Sequence, residues 1–448
     1  MNEVVGWVAL GLWAAAIGLA PGWSKAVLAA PAALAPLVAW IMARPLRWVA
    51  LFLAAALLLP PLPIPIGDSG PHPALLFAAV GLFAGLFWLR DWQFRDVGPA
   101  APMIALWGVL LASVAAAAIH SGETVAAGSL ARVLLFGIAV YLFLYCACGP
   151  GREFVSLRLL YWAAVLAALF ACVDFYYQLP APAGYGAQFV WLDSGVYRRA
   201  QGLFYEASTL GNFCAFFLVM IAVAFAQPAD SPVSRKALAA GAAVLMAALI
   251  LSYSRASLIT LAIAVAVLLQ RSRVRVPFVK LALTVPAVAL AIWWVFPVFV
   301  QAWWMRVSVS AEYFFTATEG VLSGRVASWR TLTAWIESHP WELLTGIGYK
   351  TLPYTSYVGA PVIADNMYLS LLVETGIVGL AALIWLNVAI LRAAGTASRS
   401  ADGRRAFCGT WMLCFWAGQV VQMASGDLLT YWRVLPVYFF VLALAVRA

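Results

Sequence analysis

The sequence predicts an all-α fold, a polytopic membrane bundle of about fourteen transmembrane helices with a large helical loop on the outer face. Three observations lead there. The first is composition: of 448 residues, 65% are hydrophobic and 10% charged, where soluble domains carry roughly a quarter charged residues. No soluble core absorbs that much apolar surface, so the bilayer is the solvent for most of the chain. The second is a recurrence of apolar runs along the whole length. The third is an alternation of basic charge between successive loops.

Seven runs precede the first long loop, at 4–20, 26–42, 46–59, 74–89, 103–118, 133–147 and 159–177. Four more follow at 210–226, 237–251, 258–269 and 281–300, and three close the chain at 367–391, 406–421 and 428–446. Several are shorter than the roughly twenty residues that a perpendicular helix needs.

Lysine and arginine set the orientation, because cytoplasmic loops retain positive charge during insertion. One set of loops holds Arg44, Arg47, Arg90, Arg95, Arg152, Arg158, Arg235, Lys236, Arg271, Arg273, Arg275, Lys280, Arg392, Arg399, Arg404 and Arg405, with Arg447 at the end. These are 17 of the 27 basic residues, and the other face holds the remaining 10. Both termini are therefore expected in the cytoplasm of a bacterial inner membrane, with the long loops in the periplasm. The expected organisation is N-terminal spans over 1–178, a first long loop over 179–209, spans over 210–300, a large loop over 301–366 and the last spans over 367–448. Long loops of ordinary composition are usually functional. In the second, Val326, Trp329, Leu332 and Ile336 recur at helical spacing between Arg325 and Ser338. That pattern predicts an amphipathic helix lying on the membrane surface or capping a cavity.

The net charge of +9 does not indicate nucleic acid, because the arginines are dispersed and form no basic stripe. Topology accounts for it. The six cysteines sit in or beside apolar runs without metal-ligand spacing, so neither a disulfide nor a zinc site is expected. His72, His120 and His339 are scattered, and no metal or cofactor is expected. The acidic start, MNEVVGW, reads as a retained first span rather than a cleaved leader.

Arginine on the outer face runs against the insertion bias and needs another reason to be there. Arg198 and Arg199 open the segment RRAQGLFYEAS, and Arg325 and Arg330 lie in the second loop. A guanidinium is always charged and presents a planar fork that matches phosphate oxygens, so spaced outer arginines suit a diphosphate ligand. Salt bridges and lipid headgroups are the bland alternatives. Arg255, in the turn SYSRAS, is a further candidate, with snorkelling to the headgroups as its ordinary fate. Three residues are candidate bases. Glu206, at the membrane edge, is otherwise a helix cap. Asp365 stands beside Asn366 and is otherwise an N-cap, and His339 precedes Pro340 and is otherwise a helix stop. Asp174, Asp427 and Arg433, near the outer ends of their spans, are expected to pair with one another.

Four segments of this outer face resemble the O-antigen ligase and O-antigen polymerase superfamily, membrane glycosyltransferases that use undecaprenyl-diphosphate-linked sugars. They are RRAQGLFYEASTLGNF from Arg198, SYSRAS from Ser252, SGRVASWRTLTAWIESHPWELLTGIGY with Gly324, Arg325, Trp329, Pro340, Gly346 and Gly348, and DNMYLSLLVETGIVG with Asn366, Gly376 and Gly379. Together they cover roughly Arg198 to Gly379. Ligases of the family place a catalytically important His directly before that Asn, and here the position is Asp365. The departure favours a polymerase over a strict ligase.

The resemblance implies a GT-C-like transferase without cofactor, acting on a lipid-diphosphate-linked glycan donor and a glycan acceptor, either a lipid-linked repeat or lipid A core. Membrane lipids and a chain-length regulator are its implied partners. In the expected reaction the arginines Arg198, Arg199, Arg325, Arg255 and Arg330 hold the diphosphate. Glu206, Asp365 or His339, in that order, takes the acceptor proton, and a single displacement inverts the anomeric centre. A lipid-linked glycan flippase and an export scaffold are the rival classes; transporters usually show internal repeats and helices broken at mid-membrane.

Overall fold

The computed structural model describes residues 35–62, 71–93, 97–149, 156–181, 185–192, 195–272 and 325–447, with isolated residues at 11–25 and 293–308. Much of the expected runs 4–20 and 26–42, nearly all of 281–300, and residues 309–324 lie outside the described residues. The helices follow the apolar runs. They are α1 (Ala35–Met42), α2 (Arg47–Leu58), α3 (Pro73–Phe87), α4 (Ala100–Ser121), α5 (Glu123–Cys148) and α6 (Leu157–Tyr177) before the first loop. After it come α7 (Ala207–Ala226), α8 (Arg235–Leu251) and α9 (Arg255–Ser272). The second loop holds α10 (Arg325–Ser338) and the short α11 (Glu342–Thr345), and the chain closes with α12 (Met367–Ala397), α13 (Gly403–Gln422) and α14 (Leu435–Val446).

Among the described residues, five helices (α4, α5, α6, α7 and α12) are long and apolar enough to cross a membrane, and α1 with α2, a pair bent by 119°, makes a sixth if counted as one span. The bend falls at Pro45, which supplies no backbone donor and drives the residue before it out of helical geometry. The freed Pro45 carbonyl accepts the Tyr145 hydroxyl at 2.6 Å. α3 and α14 are apolar but shorter. The protein is thus a mostly helical, multi-pass membrane protein. Among the described residues it departs from the all-α expectation at one hairpin, β1 (Phe189–Leu192) with β2 (Gly195–Arg198), paired from Phe189 with Arg198 to Leu192 with Gly195.

α7 is apolar on every side, and a helix of that kind belongs in the centre of a bundle. Nearly all of it is buried. Its one amide, Asn212, donates to Gln419 Oε1 at 2.6 Å and to Gln422 Oε1 at 2.8 Å and accepts the Tyr438 hydroxyl at 2.6 Å. Thr260 donates to the same Gln422 oxygen at 2.6 Å. In hydrocarbon such polar groups have no water to turn to, so the network ties α7, α9, α13 and α14 in one register.

α12 is broken at Gly376, which has φ 70° and ψ −172°, a conformation open in practice only to glycine. The break removes the helical donors that the carbonyls of Val373 and Glu374 would otherwise receive. The second loop supplies them instead: Ile347 N–H donates to Val373 O at 3.2 Å and Gly348 N–H to Glu374 O at 2.8 Å. A satellite core of Leu332, Trp335, Ile347, Leu352, Val358, Val362, Ala364 and Val373 holds the loop there. The amphipathic helix α10 therefore packs into the loop's own core, through Leu332 and Trp335, and Trp335 was not on the face drawn from the sequence.

A Cβ at position 376 would lie 2.4 Å from the Leu344 carbonyl oxygen. Gly376→Ala is expected to destabilise the protein by about 3 kcal/mol from overlap and strain combined, read as a lower melting temperature in detergent. Gly395→Ala, where an added Cβ meets nothing within 4 Å, serves as the control and should melt as the parent does.

Candidate active site

The hairpin delivers Arg199. Its backbone N–H extends the strand to Gln188 O at 2.8 Å, and the next residue, Ala200, donates to Leu251 O at the end of α8, also at 2.8 Å. Buried Gln201 fixes the turn that follows, donating to Gly186 O at 3.0 Å and Tyr205 O at 2.7 Å and accepting from Gln188 N–H at 3.1 Å. Thus anchored, Arg199 donates from Nε to Ser252 O at 2.8 Å, so the RRAQG segment is seated on the SYSRAS turn.

That turn carries Arg255 as the first residue of α9. It is internally bonded: Ser252 Oγ reaches Leu249 O at 2.6 Å, Ser254 N–H reaches Ser252 Oγ at 3.3 Å, and the hydroxyls of Ser254 and Ser257 lie 2.8 Å apart. Gly211 of α7 lets the helix approach so closely that a Cβ there would sit 2.7 Å from Ser254 Cβ. Arg325, the first residue of α10, comes from a third segment. It donates from Nε to Asp365 Oδ2 at 3.0 Å, while Trp329 Nε1 donates to Ala364 O at 2.7 Å, so two adjacent contacts dock α10 along the approach to α12.

Arg199, Arg255 and Arg325 lie within electrostatic reach of one another. Burial lowers the Arg199 pKa, with Glu206 opposing it and the two other arginines adding to the decrease; a guanidinium nonetheless stays charged at any ordinary pH. Three half-buried cations from three segments, facing two carboxylates, make a place where an anion is favoured.

Glu206 occupies the N-cap position of α7 but does not bond its backbone. The Ala207 N–H is taken by Gln188 Oε1 at 2.9 Å, and the Glu206 carboxylate instead accepts the Thr209 hydroxyl at 2.6 Å. Burial raises its pKa, partly offset by Thr209 and Arg199; Asp427 raises it further and Lys350 lowers it. It is a carboxylate close to a cation cluster and poised above the ordinary range. The neighbouring cap is different: Asn366 bonds the N–H groups of Tyr368 and Leu369 at 3.1 and 3.2 Å. Asp365 is thereby left out of capping, with φ 46° and its carboxylate on Arg325.

The remaining predicted residues lie elsewhere. Arg198, one residue from Arg199 on an extended strand, points the other way, as alternate strand residues do; it stands 3.6 Å from Asp174 Oδ2. Arg330 is exposed on α10, about 140° around the helix from Arg325. His339 ends the same helix, about 21 Å along the axis from Arg325 at the standard rise. Its Nδ1 lies 2.8 Å from Ser338 Oγ and 3.0 Å from Trp335 O, and its ring stacks on Trp335 at 4.8 Å. Asp174, Asp427 and Arg433 do not pair with one another as expected. Asp174 faces Arg198, Asp427 meets Lys350 at 2.5 Å, and Arg433 spends its donors on the carbonyls of Ala56, Leu59 and Leu203. The carbonyls are left free where α2 and the Gly202 turn end, and a fork with five donors suits them.

Two residues went unnoticed in the sequence. Tyr431, buried, lies within electrostatic reach of Glu206, Asp427, Asp365 and Arg325, and burial with those carboxylates holds its phenol well above the usual range, as a neutral O–H donor. Lys350 follows the glycine pair of the GIGYK run and faces both Asp427 and Glu206. The only signal for Lys350 was a lysine on the outer face, and for Tyr431 there was none.

No curated protein matches the chain significantly. Residues 240–384 match the family model Wzy_C, described as O-Antigen ligase. The matched stretch includes Arg255, Arg325, Asp365 and the broken turn of α12, so it spans two of the three arginine-bearing segments. The match covers 145 of the 448 residues and supports the resemblance to the O-antigen ligase and O-antigen polymerase superfamily.

Proposed function

We propose that the protein transfers an oligo- or polysaccharide from undecaprenyl diphosphate to a glycan acceptor on the periplasmic face of the inner membrane, with both its termini in the cytoplasm. It acts as a metal-independent, inverting polymerase of O-antigen or exopolysaccharide. The convergence of Arg199, Arg255 and Arg325 beside Glu206 supports this reading above all else. The acceptor hydroxyl oxygen attacks the anomeric carbon of the donor, and the bond from that carbon to the diphosphate oxygen breaks. The electron pair leaves with the diphosphate, whose growing charge the three guanidiniums stabilise more strongly than they do the ground state. Glu206 receives the hydroxyl proton, and Asp365 orients Arg325. Arg198, Arg330 and His339 have supporting places outside this constellation.

Asp365, where ligases carry His, favours the polymerase; the family model's description favours transfer to lipid A core as the second reading. A deletion strain separates them. Single-repeat products on the cell surface are expected. Long undecaprenyl-linked chains accumulating in the membrane would mark a lost ligase, and purified protein that elongates lipid-linked glycan in detergent would exclude transport as its sole activity.

A further inference from the structure

Behind Glu206 lies a second charged group that the transfer scheme does not use. Lys350 Nζ stands 2.5 Å from Asp427 Oδ2, with the two side chains 16% and 14% exposed. Glu374, in the broken turn of α12, is buried; its Oε1 accepts Leu352 N–H at 3.2 Å and its Oε2 has no hydrogen-bond partner. Lys350 is within electrostatic reach of Glu374 and of Glu206. One ammonium therefore stands among three carboxylates delivered by the start of α7, the break in α12 and the loop before α14.

The arrangement is built, not incidental. Lys350 has φ 59°, a left-handed conformation that a turn ordinarily gives to glycine or asparagine. The backbone reaches it through Gly348, where a Cβ would sit 2.4 Å from Ala117 Cα, and through the bonds to Val373 and Glu374 that dock the loop on the broken helix. A side chain kept at a strained position, and aimed into a polar cluster, is kept for what it does there. With all three carboxylates ionised the group carries two net negative charges; without the lysine it carries three, in a partly desolvated place where like charges repel strongly.

We infer that Lys350 is a positioning residue for the transfer reaction: its ammonium clamps Asp427 and neutralises the carboxylates gathered behind Glu206, leaving Glu206 able to take the acceptor proton. The inference rests on Glu206 being the base. The charged and titratable groups facing Glu206 are Arg199 from the hairpin, Asp427 and Tyr431 from the loop before α14, and Lys350, with Thr209 on its own helix. Those facing Lys350 are Asp427, Glu374, Glu206 and, from α5, Arg132.

The test is the pH–rate profile of the full-length protein in detergent, with a synthetic polyprenyl-diphosphate oligosaccharide as donor. Lys350→Met is expected to move the acid limb, where the base gains its proton, upward by about one pH unit or more, and Lys350→Arg to return it. Asp427→Asn removes a negative neighbour of Glu206 and is expected to move the same limb downward. A merely structural lysine predicts loss of rate at every pH in both variants with no displacement of the limb, and that result would overturn the inference. If Lys350→Met does not fold, the downward shift in Asp427→Asn still decides: its absence is a negative result for the charge-setting role. Failure of the base itself is separately visible, since Glu206→Gln would then keep the parental acid limb.

Discussion

Replacing Arg199 or Arg255 by alanine is expected to lower glycan transfer by about a hundredfold or more, with the folded yield in detergent unchanged. The magnitude follows from the loss of one preorganised donor at a site of developing charge, which elsewhere is worth roughly 10²–10³ in rate. The effect should fall mainly on kcat, because the diphosphate gains charge as the bond to the sugar breaks, and only interactions that strengthen at that point accelerate the chemistry. Lysine at the same positions keeps the charge but loses the planar fork, so an intermediate rate is expected. Arg325→Ala belongs to the same series with one difference: it also releases Asp365, which holds it at 3.0 Å. The measurement is turnover of a lipid-diphosphate oligosaccharide by purified variants, read as kcat and KM separately. Wild-type turnover in both Arg199→Ala and Arg255→Ala would remove the cluster from the mechanism. Arg198→Ala provides the contrast, because its guanidinium faces Asp174 rather than the Ser252 turn that Arg199 bonds; its loss should change rate much less.

The contrast between Arg198 and Arg199 also shows where the sequence was legible and where it was not. The helices could be read because apolar runs are long, local signals, and those between Arg47 and Ser272 match them to within three residues at each end, except that α5 opens at Glu123, ten residues before its run. The diphosphate reading of the arginines came from a local anomaly, positive charge on the wrong face. The hairpin was not foreseen, so nothing indicated that two adjacent arginines would point to opposite sides. Asp365 and Asn366 posed the same problem: both are capping residue types, and only the bonds to Tyr368 and Leu369 show that Asn366 caps α12. The break at Gly376 was hidden because what stabilises it is remote in sequence. The N–H groups of Ile347 and Gly348 satisfy the carbonyls it frees, and no window of sequence contains both. Lys350 and Tyr431 were missed for that reason, since their neighbours come from three segments. His339 is the opposite case. Its separation from Arg325 was implicit in the helix already drawn between them, since fourteen residues at the helical rise span about 21 Å.

Glu206→Gln is expected to reduce transfer by about 10²–10⁴-fold, the range associated with a positioned general base, and to do so without unfolding α7. The substitution preserves shape and an oxygen for the Thr209 hydroxyl, now 2.6 Å from the carboxylate, and it replaces a buried ionisable group by a neutral one. For the parent enzyme the pH dependence follows from the sign of the shift. A base works only when deprotonated, and burial raises Glu206 above the ordinary carboxylate range, so the rate should fall with decreasing pH before a free carboxylate, near about 4.3, would begin to titrate. Bound diphosphate brings further negative charge against Arg199, the arginine that now lowers Glu206, so the limb in kcat should lie at higher pH than the limb in kcat/KM. Asp365→Asn separates the two carboxylates. Asp365 is paired with Arg325 and stands 46% exposed, so its substitution should disturb diphosphate binding, raising KM, and leave the acid limb where it is. If Asp365→Asn erased that limb and Glu206→Gln retained it, the proton would pass to Asp365, and the buried carboxylate at the head of α7 would be structural.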